Sequence, residues 1–375
     1  MINEERLLNL FLKLQSFDSL SFHENDILDY VYNNLKELGL YLEIDNVGEI
    51  LAKENNLENH SKGNIYAYLK GSLDDSILFS SHLDTVSPGI GKKSIISDGI
   101  IKTDGKTVLG ADDIAGIASI IEALRTIKEK GLKHNDIELL ITIAEEPYCQ
   151  GSRYFDFSKI KSNKAYVLDL DGKLGRCAIE APSIISFTIE IFGRSAHAGF
   201  SPEDGINAIT ILGNALSRIK VGRIDENTTL NFGKLYGGEQ RNSIPDYVNI
   251  IGEIRSLNSD FALKLMDDIT KVFNEEAKAY LGSVKVSFKE EIKAYSVSKD
   301  SNTIKKYNEV LNELGFSDAE LITTFGGSDN NNINKNGIEG IVISNGMNKP
   351  HTVDEYIKID DLNKTSEIVL KLMTK

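Results

Sequence analysis

The chain has 375 residues, of which 41% are hydrophobic and 26% are charged, a balance typical of a globular protein rather than a disordered one. Its formal net charge of −14 argues against nucleic acid or an anionic membrane as a partner, because both would repel such a surface. The length predicts one large domain that carries a smaller second one.

The N-terminal residues and the number of cysteines indicate in which cellular compartment the protein is expected. Residues 1–6 do not combine a basic segment with an apolar one, and no run approaches the roughly 18 apolar residues of a membrane span. Cys149 and Cys177 are too few for a disulfide framework. We therefore expect a soluble, cytoplasmic protein in which both thiols are buried, although Cys149 can also line a site that contains Glu145.

Helix and strand patterns alternate at the start of the chain. Apolar residues recur at helical spacing in 5–14 and 27–38, which predicts two helices. Residues 64–68 alternate like an edge strand, whereas residues 76–82 predict a buried strand that ends at His82.

A helix and a further strand follow. An amphipathic stripe begins at Asp113 and ends near Gly131, and residues 137–144 predict another buried strand. Strand, helix and strand in this order indicate a βαβ unit with parallel strands, in which ligands gather beyond the carboxyl ends. His82 and Glu145-Glu146 fall at such ends.

The pattern changes after Pro182. Its elements follow the β-α-β-β-α-β order of a ferredoxin-like insert: strand 184–192, helix 207–219, strands 229–234 and 247–255, helix 261–280 and strand 284–289. The chain returns to the first domain near Ala294, with a helix at 304–314 and a last helix at the C-terminus.

Acidic residues stand beside the first two strand ends. The strand period of two points His82 and Asp84 to one side, so the carboxylate can brace a metal-bound imidazole; alone, such a pair is more often a buried histidine bonded to an aspartate. Asp113 suits a helix cap, whereas Asp112 has no such explanation and can place one oxygen on each of two metals.

Glu145 and Glu146 end an apolar strand, where neighbouring buried acids are costly unless cations or protons compensate them. Their side chains diverge, so one can bind metal while the other acts as general base. Asp169 ends a further β-like run. Asp171 competes with it as a ligand, although Asp171-Gly172 is also typical of a turn.

His351 in a loop brings the set to two imidazoles and several carboxylates. This mixture suits two divalent metal ions, with zinc favoured and manganese or cobalt as alternatives. Two such ions would share a water, lower its pKa and polarise a carbonyl oxygen, which predicts amide hydrolysis without a serine or cysteine nucleophile.

Five motifs occur in an order that resembles the M20 metallopeptidases, and within that family the peptidase T group: Ser81-His-Leu-Asp-Thr-Val86, Gly110-Ala-Asp-Asp-Ile-Ala-Gly116, Glu145-Glu146, Gly193-Arg-Ser-Ala-His-Ala-Gly199 and Arg241-Asn-Ser-Ile-Pro245. The likeness runs from about Leu7 to Leu370. It implies an α/β zinc-peptidase domain with a mixed central sheet, residues 1–181 and 293–375. A ferredoxin-like α+β lid or dimerisation domain, residues 182–292, would interrupt it.

The resemblance also implies a role for each site residue. The metal ligands would be His82 and Asp169 for one ion, Glu146 and His351 for the other, and Asp112 as the bridge. Asp112 would form a cis peptide with Asp113. Glu145, as general base, and Asp84 would be the catalytic residues.

The remaining implied residues would contact the substrate. In a homodimer His197 of the lid would reach the partner's active site and stabilise the developing oxyanion; otherwise it caps the helix that follows. The substrate's backbone and carboxylate would bind Asn242, Arg255 and the loop containing Gly327, Ser328 and Asp329, with Arg255 using its bidentate fork. Glu355 is a candidate contact for a substrate amino group.

These features predict a metal-dependent aminopeptidase that removes N-terminal residues from short peptides, tripeptides in particular. Attack would come from a metal-bridging water with Glu145 as base. The segments at Asp169–Gly172 and Pro350–Glu355 depart from the tripeptidase pattern, which bears on substrate choice and not on metal binding. An N-acyl-amino-acid deacylase or dipeptidase would use the same chemistry. A non-catalytic metal-dependent binding protein is the alternative of another class, but it has no use for the base.

Overall fold

A computed structural model describes residues 2–375 as two compact units. Unit 1 is built from the chain up to Glu180 together with Ser296–Thr324 and Ser328–Lys375, and unit 2 from Ala181–Tyr295 and Phe325–Gly327. Among residues 2–375, no helix is both long and apolar enough to cross a membrane.

The chain begins with five helices and eight strands: α1 (Glu4–Gln15), α2 (Asn25–Glu37), β1 (Tyr41–Ile44), α3 (Val47–Asn55), β2 (Ile65–Leu69), β3 (Ser76–His82), β4 (Ser94–Ser97), β5 (Ile100–Thr103), α4 (Ala111–Lys130), β6 (Asp136–Thr142), α5 (Gln150–Arg153), β7 (Lys164–Leu170) and β8 (Arg176–Ala181). A 3-10 turn at Phe157–Lys159 precedes β7. As predicted, α4 ends at Gly131, whose φ of 59° is the left-handed conformation that glycine adopts readily.

Unit 2 contains β9 (Ser183–Phe192), α6 (Ala208–Ser217), β10 (Gly222–Asp225), β11 (Thr228–Gly237), β12 (Tyr247–Ser256), α7 (Ser259–Ala279) and β13 (Ser283–Ile292), with a 3-10 turn at Pro202–Asp204. The chain ends with β14 (Tyr295–Ser296), α8 (Asn302–Glu313), β15 (Glu320–Thr323), α9 (Asp329–Lys335), β16 (Glu339–Ser344), β17 (Met347–Asn348), β18 (Tyr356–Lys358) and α10 (Ile359–Thr374).

The main sheet of unit 1 has the strand order β1-β2-β6-β3-β7-β16-β8-β14, with β15 added beside β8. The central strands β6, β3, β7 and β16 pair in parallel, whereas β1, β2 and β8 introduce antiparallel pairs. This mixed sheet confirms the predicted α/β class. Because the central strands run the same way, their carboxyl ends lie at one edge, where His82 pairs with Thr142 and Ser344 with Leu170.

Helix α4 is buried along most of its length and packs against β3, α1 and α10. A second apolar cluster includes Leu78, Leu140 and Val167 from the sheet and Ile333 from α9. A smaller sheet, β17-β18-β5-β4, carries the segments on either side of His351.

Unit 2 has one antiparallel sheet in the order β10-β11-β12-β9-β13, and α6 and α7 pack against it. Alternate residues of β9, from Ile185 to Ile191, are buried with apolar side chains of both helices, as the strand period of two requires. The order of strands and helices confirms the predicted ferredoxin-like fold, to which the short strand β10 is added.

One strand prediction is wrong in its position. Strand β2 was predicted to lie at a sheet edge, but β1 pairs with it on one side and β6 on the other. The four residues of β1 have no fully buried side chain, so their sequence lacks the apolar pattern that would have predicted a covering strand.

Candidate active site

The carboxyl ends of the central strands bring together side chains that are far apart in sequence. His82 is the last residue of β3, Glu145 follows β6, and Asp169 is the next-to-last residue of β7. Asp112 lies at the start of α4, and His351 in the loop after β17. All of these belong to unit 1.

The His82 imidazole is fixed from behind. Its Nδ1 lies 2.9 Å from the backbone oxygen of Asp84 and 3.5 Å from that residue's carboxylate. Donation from Nδ1 to the carbonyl leaves the lone pair on Nε2 available toward the cluster. Nε2 lies 3.1 Å from Asp112 Oδ1 and 3.9 Å from Asp169 Oδ1.

Asp112 lies between the two histidines. Its Oδ1 faces His82, and its Oδ2 is 3.1 Å from His351 Nε2. The peptide bond from Asp112 to Asp113 is cis, as the family resemblance implied. Asp113 points away from the histidines: it is buried and accepts hydrogen bonds from Ser81 Oγ at 2.5 Å and Asn345 Nδ2 at 2.8 Å.

The donor set fits a pair of divalent cations. Ligand atoms of His82, Asp112 and Asp169 lie within 4.8 Å of one another, and so do those of Asp112, Glu146 and His351. Glu146 Oε2 is 2.9 Å from His351 Nε2, whereas its Oε1 is buried and has no hydrogen-bond partner within residues 2–375. A buried carboxylate oxygen of this kind is costly unless a cation or proton binds it.

The protonation pattern indicates a surplus of negative charge. Burial and the neighbouring Asp112 raise the pKa of Asp169 to about 8, and the same two causes raise the pKa of Glu146. Hydrogen bonds to Asp112 and Glu146 raise the pKa of His351 to about 10. The metal-free site therefore takes up protons, which divalent cations would replace.

This surplus predicts how the stability of the metal-free protein changes with pH. Between about pH 4 and pH 8 the folded state holds a proton on Asp169 that the unfolded chain has lost, so the free energy of unfolding falls as pH rises. The raised pKa of His351 has the same sign up to about pH 10. We expect the metal-free melting temperature to fall by about 5 °C or more between about pH 5 and about pH 9.

Scanning calorimetry with and without divalent metal checks this expectation. Added metal should reduce the fall, because bound cations stabilise the deprotonated carboxylates. A metal-free melting temperature that is flat or rises over this range would contradict the charge balance of the site.

Glu145 lies beside both groups of ligands without completing either. Its Oε2 is 4.0 Å from His82 Nε2, and its Oε1 accepts a hydrogen bond from the Cys149 thiol, with Sγ at 3.2 Å. Burial, the neighbouring Asp169 and other nearby acids raise the pKa of Glu145 well above its ordinary value. Burial and Glu145 also raise the pKa of Cys149, which keeps the thiol protonated as a donor. Cys149 is thus buried and also contacts the site, which combines the two predicted roles.

The carboxylate of Asp84 holds the turn that carries the two glutamates. It accepts the backbone N–H of Glu145 at 2.9 Å and of Glu146 at 3.1 Å, and the hydroxyl of Ser21 at 2.7 Å. It contacts the His82 imidazole from behind and the backbone of Glu145 and Glu146, so its geometry is that of a positioning residue.

Sequence reasoning did not identify Glu24, which supports the same turn. Glu24 is buried and accepts the N–H of Ala144 at 2.9 Å and of Phe22 at 3.0 Å, and it is also bonded to the Ser61 hydroxyl. Ala144 lies two residues beyond the end of β6 and has a positive φ of 46°, so this N–H is outside the strand ladder. In the sequence, Glu24 stands among polar residues that are typical of an exposed loop. The local pattern therefore does not predict its hydrogen bond to the N–H of Ala144.

The structure separates the two candidates for the last ligand. Asp169 Oδ1 lies in the His82 group, whereas Asp171 Oδ1 lies 3.3 Å from Arg176 Nη1.

We expect Asp169→Asn to lower bound metal from two ions to about one per chain and Asp171→Asn to leave the metal content unchanged. Elemental analysis of both variants after dialysis compares them. The assignment would be overturned by metal loss in Asp171→Asn alone.

Two of the residues predicted to contact the substrate make hydrogen bonds within unit 1. Asp329 is buried in unit 1, where its oxygens accept hydrogen bonds from Ser152 Oγ and Thr142 Oγ1, both at 2.5 Å, beside Glu145 and Cys149. Ser328 is the N-cap of α9, with its hydroxyl accepting the N–H of Asn330. Both side chains therefore accept hydrogen bonds from groups of the protein itself.

Gly327 belongs to unit 2, where a Cβ would meet Ile292 Cδ1 at 2.0 Å. Its lack of a side chain is explained by this packing. In the same unit, Arg255 donates to Glu253 from Nε at 2.8 Å and to the Phe325 carbonyl from Nη1 at 2.8 Å. The Arg255 guanidinium, predicted to bind a substrate carboxylate, thus donates to the carboxylate of Glu253 in this structure.

His197 and Asn242 lie on exposed loops of unit 2 that contact each other. The backbone N–H of Ala198 donates to the Asn242 carbonyl at 2.9 Å. His197 Nδ1 accepts the backbone N–H groups of Gly199 and Phe200, each at 3.1 Å, and its ring stacks on Phe200. A neutral imidazole that accepts at Nδ1 carries its proton on Nε2, which makes Nε2 a donor.

Known proteins resemble both units. The model of the M20 peptidase dimerisation domain matches residues 179–281, and that of peptidase family M28 matches residues 64–176. The uncharacterised protein YqjE of Bacillus subtilis is 37% identical over 374 residues, which is 100% of this chain and 99% of that protein.

Two solved structures match the whole chain. The aminopeptidase PepT of Bacillus cereus is 35% identical with a TM-score of 0.91, and a tripeptidase of Staphylococcus aureus is 33% identical with a TM-score of 0.93. In both cases the match covers 100% of this chain and 98% of the other. On this likeness, and with the His82, Asp112 and Glu145-Glu146 motifs gathered at one edge of the main sheet, the chain belongs to the M20 family of metallopeptidases, in its peptidase T-like group.

Proposed function

We propose that this protein is a di-zinc aminopeptidase that releases the N-terminal residue from tripeptides and other short peptides. Membership of the family makes it a metal-dependent hydrolase of amide bonds. The names of the two solved relatives, an aminopeptidase and a tripeptidase, support the narrower choice of substrate.

The observation that carries the proposal is the position of Glu145. It is a buried carboxylate beside both ligand groups, and one of its oxygens is held by the Cys149 thiol while the other faces His82. A protein that only binds metal needs no such group. Glu145 would take a proton from the attacking water and pass it to the nitrogen of the leaving amine.

We assign the metal positions from the same geometry. His82 and Asp169 would hold one ion, Glu146 and His351 the other, and Asp112 both. Bound there, divalent cations lower the pKa of a water and polarise the carbonyl of the scissile bond. The mixture of nitrogen and oxygen donors favours zinc, and manganese or cobalt would also suit it.

Unit 2 would complete the site in a homodimer. The match to the peptidase dimerisation domain supports dimer formation. His197 is exposed and presents an Nε2–H donor, as stabilisation of an oxyanion requires. Asn242 and Arg255 remain proposed contacts for the peptide, and a substrate carboxylate would share the Arg255 guanidinium with Glu253.

A substrate panel tests the proposal. The purified protein, stripped with a chelator and then given zinc or manganese, is assayed on free-amine tripeptides, dipeptides and N-acylated amino acids. We expect metal-dependent release of the first residue from tripeptides. Cleavage confined to acylated amino acids would replace the proposal with a deacylase, and cleavage confined to dipeptides with a dipeptidase. If no substrate is cleaved although metal is bound, the protein is a metal-dependent binder.

A further inference from the structure

The two loops that carry metal ligands are joined through one carboxylate. Residues 109–113 contain Asp112, and residues 349–355 contain His351. Glu355, at the end of the second loop, is 1% exposed. Its Oε2 accepts the backbone N–H of Gly110 at 2.8 Å, and its Oε1 accepts the backbone N–H of Asp112 at 3.1 Å.

These contacts meet two needs of the Asp112 loop. The first backbone N–H groups of a helix have no partner within the helix, and a carboxylate there also interacts favourably with the helix dipole. Asp112 and Asp113 depart from helical φ and ψ, so the ordinary ladder does not fix them. Glu355 therefore sets the backbone position from which the Asp112 side chain reaches both histidines.

The same carboxylate anchors the loop of His351. The His351 side chain is 53% exposed, and its backbone has a φ of 61°. Four residues later, Glu355 is buried, and its N–H donates to the Thr352 carbonyl at 3.1 Å. The hydrogen bonds that Glu355 accepts from the Asp112 loop therefore also hold the end of the turn that contains His351.

We propose that Glu355 is a positioning residue that couples the two metal positions, and that it is needed chiefly for the ion held by Glu146 and His351. Glu355 was also a candidate contact for a substrate amino group, but here it is buried and each carboxylate oxygen accepts a backbone N–H group. The inference rests on the proposed metal site and not on the choice of substrate.

Glu355→Gln tests the coupling. Glutamine has one acceptor oxygen, so its amide –NH₂ would face one of the two backbone N–H groups. We expect the variant to keep the first ion and to bind the second about 10- to 100-fold more weakly. Calorimetric titration of the metal-free protein with zinc, with elemental analysis after dialysis, measures this. Asp354→Asn, an equal change of charge at the exposed neighbouring residue, should bind both ions as the wild type does.

Glu355→Asp keeps both oxygens on a shorter arm and covers the case in which the glutamine variant does not fold. It should also weaken binding of the second ion. Wild-type affinity for both ions in either folded variant would overturn the inference. A wild-type chain that binds two ions and cleaves no peptide would overturn the proposed function alone, so the two failures can be told apart.

Discussion

Glu145→Gln is expected to lower kcat for a tripeptide by about 10³-fold while the protein keeps its two ions. Glutamine preserves the size of the side chain and an oxygen that can accept the Cys149 thiol. It cannot take a proton from water, and general base catalysis contributes about 10²- to 10⁴-fold. The loss should appear in kcat rather than KM, because the residue would act in the transition state.

The measurement is steady-state kinetics on a tripeptide together with elemental analysis of the same preparation. Glu58→Gln, the same substitution at an exposed loop residue of the same unit, is the matched control and should behave as wild type. If Glu145→Gln retains full activity, the residue is not the base. If it loses metal together with activity, Glu145 is a ligand instead.

Asp112→Asn is expected to lower activity further, on the order of 10⁴-fold, and to release at least one ion per chain. Asp112 offers Oδ1 to the His82 group and Oδ2 to the His351 group. Burial opposes its charge, but hydrogen bonds to His351 and His82 hold the pKa of Asp112 well below the ordinary value. Asparagine keeps one oxygen, has no charge and turns an –NH₂ group toward the other ion.

Metal content and activity of this variant are compared with those of Asp74→Asn, which removes a carboxylate from an exposed turn of unit 1. The control should keep both ions and full activity. Two ions bound at wild-type affinity in Asp112→Asn would show that Asp112 does not bridge them.

Much of the fold was predictable because local patterns and tertiary structure agree. Strand β3 is a buried strand with an apolar centre that ends at His82, and α4 has a stripe of apolar residues ended by Gly131. Parallel pairing of β3 and β6 follows from their connection through α4, and it places Glu145 near His82. The family resemblance then gave a ligand role to His351, whose loop context alone carries no signal.

Other parts depend on contacts that are distant in sequence. Helix α9 begins Asp329-Asn-Asn-Asn332, a composition that favours turns, yet buried hydrogen bonds from Asn330 to the Gly340 carbonyl and from Asn332 to the Cys149 carbonyl stabilise it. Glu24 and Glu355 accept backbone N–H groups 120 and 243 residues away, and no local pattern encodes such pairs. For the same reason, the sequence did not reveal the internal hydrogen-bond partners of Asp329 and Arg255.

We propose a dependence of peptide hydrolysis on two divalent ions held by this cluster. It is tested most directly by titrating the metal-free protein with zinc while following both bound metal and cleavage of a tripeptide. We expect activity to be lost on chelation and to return to a plateau at two ions per chain, with manganese or cobalt able to replace zinc. Full activity in the metal-free protein, or a plateau reached with a single ion, would contradict it.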